Sequence, residues 1–244
     1  TDEELDDFGD KEYILYRIEN ELNTQFNTRK QLVLKTMYAY IDRRGSLHDT
    51  ECLSLFGTNS FNLVWEKICA EIMDNQLDVP LGILKLPVPL KEDYNRRQKL
   101  IELIEKPLWT ITGKCAKDTL IPDLVSICKV NDQHQFIIFD AKYYNAHLEK
   151  GIVPTGQPGI ESITKQYLYQ LAYQQFIEDH NFSSVKNCFL LPTENNEIED
   201  KGEVRMEMLS NLGLQDIKIR LIPATMAYDL YLSGSKMDME RLDL

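Results

Sequence analysis

Between positions 60 and 74 the apolar residues Phe61, Val64, Trp65, Ile68, Cys69 and Ile72 recur at the spacing of a single buried stripe. This predicts an amphipathic α-helix, with Asn59 or Ser60 as its cap. Upstream, Ile14, Leu15, Ile18 and Leu22, then Leu32, Leu34, Met37, Tyr38 and Ile41, keep near-helical spacing over 11–44 until Gly45-Ser46 breaks the segment. Residues 75–106 mix Pro80, Pro87 and Pro89 with a charged piece at 92–105 that reads as helical, which makes a long connection.

Past residue 107 the period changes. Leu108 to Thr112, Leu120 to Ile127 and Phe136 to Tyr144 are rich in β-branched and aromatic residues and are separated by turn formers, so they read as an antiparallel meander. Residues 145–160 contain Gly151, Pro154, Gly156, Pro158 and Gly159 and suit a mobile loop. A helix is expected at 161–180, and the apolar run Val185 to Leu191, closed by Pro192, suits a buried central strand. After an acidic loop at 194–203, Val204, Met206 and Met208, then Ile217, Ile219 and Leu221, alternate with polar residues as in strands with one wet face. The order from residue 60 is α-β-β-β-α-β followed by two extra strands and a tail, an α/β fold behind an N-terminal helical segment. The expected division is residues 1–55 as an accessory or docking segment and 56–244 as the main domain.

Composition narrows the function classes. No stretch approaches the roughly 18 apolar residues of a membrane span, and no basic flank precedes an apolar run at the N-terminus, so no membrane insertion or secretory signal is expected. The cytoplasm is the expected compartment, and a chain beginning at Thr1 is compatible with a fragment. Five scattered cysteines without a C-x-x-C pair, and four histidines without ligand spacing, argue against a disulfide framework or structural zinc. The net charge of −12 is wrong in sign for a nucleic-acid partner, but its distribution changes the picture. Residues 1–12 carry −6, 194–203 carry −4 and 238–244 carry −2, so the rest of the chain is neutral and includes a basic cluster at Lys91, Arg96, Arg97 and Lys99. This cluster is either a solvated face or a contact to a DNA backbone.

Asp140-Ala141-Lys142 closes the apolar run Phe136-Ile137-Ile138-Phe139, and residues at i and i+2 of a strand project from one face. Other Asp/Glu-x-Lys triplets, at Glu199-Asp200-Lys201 and Asp216-Ile217-Lys218, lack that setting. A hairpin reversing between Asn131 and Asp132 sets Asp123 directly across from Asp140. Opposed carboxylates, with Cβ atoms roughly 5 Å apart, repel unless a cation lies between them. Hard oxygen donors with room for water suit Mg²⁺, with Mn²⁺ as a substitute, and such an ion would orient a phosphate and acidify water. Lys142 would hold the attacking water or the phosphate oxygens.

Ile121-Pro122-Asp123, Asp140-Ala141-Lys142 and the α-β-β-β-α-β order resemble the core of PD-(D/E)xK nucleases. Thr58 to Lys67, Phe139 to Tyr144 and Lys165 to Leu171 more narrowly resemble the LlaJI-type restriction endonuclease family, over about residues 55–232. The resemblance implies a restriction-endonuclease-like fold with a mixed central sheet, cleavage of double-stranded DNA with Mg²⁺, and a separate GTP-hydrolysing subunit resembling McrB. A homodimer is a further option. By the same resemblance Glu66, on the first helix, faces the metal directly or through water, or is a surface acid. Gln166 would take part in catalysis, while Lys165, Gln170 and Tyr173 would join Arg96, Arg97 and Lys99 against DNA. The Q-x-x-x-Y motif of RecB-like nucleases is matched only in part, because position 170 is Gln. Two other readings stand beside this one: a McrC- or RecB-like nuclease subunit driven by a nucleotide-hydrolysing partner, and a catalytically silent binding module.

Overall fold

The computed structural model describes residues 9–25, 28–43 and 60–244. The chain divides into two compact units, Thr1–Gly57 and Thr58–Leu244. In the first, the helical segment expected at 11–44 is two helices, α1 (Lys11–Thr24) and α2 (Thr28–Arg43). Asp10 caps α1 by accepting the Tyr13 N–H at 2.8 Å, and Ile18 and Ile41 are the buried members of the pair. The Gly45-Ser46 break and the Asn59 cap candidate lie outside the described residues.

The second unit is built on a five-stranded mixed sheet. Its strands are β3 (Leu124–Val130), β4 (Gln133–Ala141), β5 (Ser184–Thr193), β6 (Glu199–Val204) and β7 (Ile217–Pro223), in the spatial order β3-β4-β5-β7-β6. β5 runs parallel to both neighbours, and each edge strand is antiparallel to the strand beside it. Because side chains alternate along a strand, one face carries Leu124, Ile137, Phe139, Cys188 and Leu190 and packs on α3 (Phe61–Ile72) and α5 (Ala224–Ser233). The other carries Val125, Ile127, Phe136 and Ile138 and packs on α4 (Ile160–Asp179) and on Leu77, Leu81, Leu100 and Ile104 of the long connection.

The restriction-endonuclease-like α/β architecture expected from sequence is present, with differences of detail that have local causes. Leu108–Trp109 (β1) does not join the sheet; it pairs with Lys114–Cys115 (β2) in a separate hairpin, because the chain reverses at Gly113 (φ 64°) after only four loop residues. Residues 92–105 are not helical beyond a single 3-10 turn at Leu100–Leu103. The Asn95 side chain accepts the Arg97 N–H at 3.0 Å, a local bond that competes with helix, and Lys99 bridges back to Pro80. The expected strand at 204–208 lies earlier, at Glu199–Val204, and the residues after it form 3-10 turns. Asp200 of this polar edge strand pairs with Arg220 at 2.5 Å, and the register slips between Asp200 and Glu203 around Gly202 (φ 80°).

β7 was expected to have a wet face, yet Arg220 is only 2% exposed. Its Nε donates to the Leu242 carbonyl at 2.6 Å and its Nη2 to the Asp243 carbonyl at 2.5 Å, so the C-terminal residues cover that face. Helix α5 was not expected at all. It begins after Pro223 and ends at Gly234 in the left-handed region, a start and stop signal that was present in the sequence.

Trp65 links these layers. It is fully buried, and its Nε1 donates to the Leu190 carbonyl at 3.1 Å, fixing α3 against β5. Trp65→Phe keeps most of the volume and removes one of the two hydrogen bonds that the Leu190 carbonyl accepts, so it should cost about 1 kcal/mol. Trp65→Ala also opens a cavity and should cost about 3–5 kcal/mol. Urea denaturation of the two variants checks the order.

Candidate active site

The site begins with a turn. Asn131 and Asp132 both take positive φ (48° and 63°), a conformation that Asn and Asp tolerate and that matches the twist of a two-residue hairpin. This turn sets the register Leu124↔Phe139 through Val130↔Gln133. Asp123, one residue before β3, is thereby level with Asp140 near the end of β4. The Asp123 carboxylate accepts the backbone N–H of Ala141 at 2.9 Å, which fixes its orientation beside Asp140.

Lys142, two residues beyond Asp140, donates to Asp140 Oδ1 at 2.5 Å and stands 3.6 Å from Asp123 Oδ2. Its backbone N–H donates to the Leu190 carbonyl at 2.9 Å, the same oxygen that receives the Trp65 indole. One carbonyl of the central strand therefore positions both the start of the Lys142 segment and α3. Tyr169 of α4 donates its hydroxyl to the Ile121 carbonyl at 3.0 Å and steadies the lead-in to Asp123.

The electrostatics are unbalanced. The Asp140 side chain is 6% exposed, and burial, a hydrogen bond with Asp123 and the charge of Asp123 push its pKa up to about 8 despite Lys142. Burial works to lower Lys142, but the opposing attraction of Asp140 and Asp123 prevails and its pKa is raised. Glu66 on α3 is also raised, by burial and then by Asp123, with Lys142 and Asn62 pulling the other way. The pocket thus holds more acid than its single lysine neutralises. Glu66 feels both Asp123 and Lys142 but does not complete a three-carboxylate cluster: among the described residues no three His, Cys, Asp or Glu side chains are grouped so as to hold a metal. Asp123 and Asp140 form a two-carboxylate set of hard oxygen donors.

Gln166 is fully buried. Its Nε2 donates to the Ile138 carbonyl at 2.7 Å, two residues before Asp140, and its Oε1 is a buried atom with no protein partner. Gln170 and Tyr173 are in the interior and not on a DNA-facing surface. The Gln170 oxygen accepts the Asn187 amide at 2.6 Å and the Gln215 N–H at 3.0 Å, while Tyr173 packs on Phe136 at 5.2 Å between ring centroids. Polar side chains on one helix face have the pattern of a surface, but here Asn187, within the apolar run of β5, supplies a buried counterpart to Gln166 and Gln170. Arg96, Arg97 and Lys99 are exposed, with Lys99 paired to Asp78 at 2.7 Å and Lys91 paired to Asp179. Lys165 is exposed and pairs with Glu161 at 2.5 Å, one turn earlier on α4.

The model of a family described as LlaJI restriction endonuclease matches residues 1–228. A relative, the "Type II restriction enzyme BsuMI component YdjA" of Bacillus subtilis (strain 168), is 27% identical over 232 residues, covering 92% of this chain and 44% of the relative. The chain therefore spans less than half of that protein's length. No solved structure matches significantly.

The raised Asp140 pKa has a stability consequence. A folded state that keeps a proton the unfolded chain has lost is favoured at low pH and loses ground as pH rises from the ordinary carboxyl range towards about 8. In chelator, wild-type stability should fall over this window by at most about 1.4 kcal/mol per pH unit. Asp140→Asn, which cannot ionise, should flatten the fall. Urea denaturation between pH 4.5 and 8.5 measures both slopes.

Proposed function

The chain belongs to the LlaJI restriction endonuclease family, and from that premise we propose that its second unit hydrolyses the phosphodiester backbone of double-stranded DNA with Mg²⁺ or Mn²⁺ bound at Asp123 and Asp140. The observation that carries this reading is the surplus of carboxylate over lysine in a confined site, with Asp140 driven to a pKa of about 8. Buried acids kept together at such a cost suit a site whose counter-charge arrives with its cofactor. The donor chemistry fits a hard divalent ion, which when bound would supply Lewis acidity towards phosphate and water.

The chain's own residues divide the remaining work. Asp123 is preset by the Ala141 N–H, so its carboxylate need not reorganise when a ligand enters. Lys142 carries three N–H donors on a compact charge and meets a phosphate oxygen or the attacking water once its hold on Asp140 loosens. Glu66, with raised proton affinity, orients water at the edge of the site. Gln166, through the Ile138 carbonyl, is a positioning residue for β4.

The name of the Bacillus relative, a component of a restriction enzyme, favours a second version in which cleavage requires another subunit. A GTP-hydrolysing subunit resembling McrB, or a second copy of this chain, would fill that place. Plasmid cleavage by the purified chain alone, or only after a partner is added, separates the two versions.

Metal ligation and substrate positioning should separate by mutation. Asp123→Ala and Asp140→Ala should abolish Mn²⁺ binding at the site and cleavage together. Lys142→Ala removes a charge but no ligand, so Mn²⁺ binding should persist or tighten while cleavage falls about 10²–10³-fold. Calorimetry with Mn²⁺ and plasmid cleavage on the same preparations test this, and a fully active Lys142→Ala protein contradicts the assignment. Ca²⁺, larger and a weaker promoter of water ionisation, should support DNA binding without cleavage.

A further inference from the structure

The β1–β2 hairpin forms a two-stranded sheet of its own, apart from the five-stranded sheet. Both strands are exposed along their length, with Trp109 64% and Ile111 95% exposed, and every residue from 105 to 115 is exposed. A lone two-stranded hairpin is marginal in water, and large apolar side chains concentrated at its tip mark a binding surface.

Its base, by contrast, is well held. The Ala116 N–H donates to the Pro107 carbonyl at 2.7 Å, Lys106 Nζ to the Lys117 carbonyl at 2.9 Å, and Thr119 Oγ1 to the Glu105 carbonyl at 2.6 Å. These bonds close the base of a projection with an apolar tip, which reduces the conformational freedom to be lost on binding.

Charge identifies the occupant. Residues 106–117 contain Lys106, Lys114 and Lys117 and no acid, a local +3 bounded by Glu105 and Asp118, within a chain of net −12. Lys114 and Lys117 form no ion pair among the described residues, unlike Lys91, Lys99 and Lys165. Apolar wedges flanked by lysine suit a polyanion that also offers stacked bases. Position agrees: only seven residues lie between Cys115 and Asp123. At no more than about 3.6 Å per residue, Cys115 lies within roughly 30 Å and Ile111 within roughly 43 Å of Asp123, little more than one turn of duplex.

We propose that the Leu108–Cys115 hairpin is a DNA-contacting finger: Trp109 and Ile111 enter the groove of a duplex whose backbone is met by Lys106, Lys114 and Lys117, on the same stretch of duplex as the cleaved bond. This rests on the nuclease reading above and extends it to where the duplex is gripped.

The test uses the full chain in chelator, where cleavage cannot confound binding, with a 30-base-pair duplex as probe. Of the two tryptophans, Trp65 is buried and Trp109 is exposed, so acrylamide quenching reports on Trp109. Saturating duplex should shield it. The double variant Trp109→Ala/Ile111→Ser should weaken duplex affinity about tenfold or more, with its salt dependence unchanged. Lys114→Gln/Lys117→Gln should lower the slope of log affinity against log salt by about 2. All four residues are exposed, so both variants should melt like the wild type. Wild-type affinity in the apolar variant, or full acrylamide access to Trp109 in saturating duplex, overturns the proposal. So does an apolar variant that binds duplex normally but loses self-association or a partner subunit, which would make the hairpin a protein-docking surface. Plasmid cleavage by the wild type in Mg²⁺ is scored separately, so a failed finger with intact cleavage leaves the nuclease reading standing.

Discussion

Placing the Asp140 carboxylate where its side chain is 6% exposed, beside a second carboxylate, opposes folding, and Lys142 offsets that opposition only in part. The surrounding structure holds the arrangement against this repulsion. The type of turn at Asn131 and Asp132 brings the acids level, the Ala141 amide restrains Asp123, and Tyr169 anchors the backbone leading to it. The Leu190 carbonyl ties Lys142 and Trp65 to the central strand. Sites held together against their own electrostatics are where function is expected to override local stability.

Much of this was legible in the chain because it depends on short-range rules. A two-residue turn determines register, register determines which residues face each other, and Asp123, Asp140 and Lys142 follow. The apolar stripe of α3 and the buried run of β5 were likewise clear, since burial on a stripe or on both faces leaves a simple pattern.

What was not legible depended on partners distant in sequence. Residues 199–204 look like an acidic loop until Arg220 is known to stand opposite Asp200. β7 looks half wet until the Leu242 and Asp243 carbonyls close over Arg220. Gln170 and Tyr173 read as a polar helix face, whereas Gln170 and Asn187 satisfy each other inside the core. Leu108 to Thr112 has strand composition, but composition does not say that the strand stands apart from the sheet. Helix α5 is a different case, because its start and stop are local: Pro223 and Gly234 bracket it. The acidity of the whole chain also hides a local contrast, since residues 106–117 carry three lysines and no acid.

The most direct test of the central assignment is anomalous diffraction from crystals of the chain soaked in Mn²⁺. The account predicts a single strong peak in contact with both the Asp123 and Asp140 carboxylates, with the Lys142 ammonium moved off Asp140 Oδ1. Strong Mn²⁺ density elsewhere, with Asp123, Asp140 and Lys142 still joined to one another and carrying no ion, would contradict it.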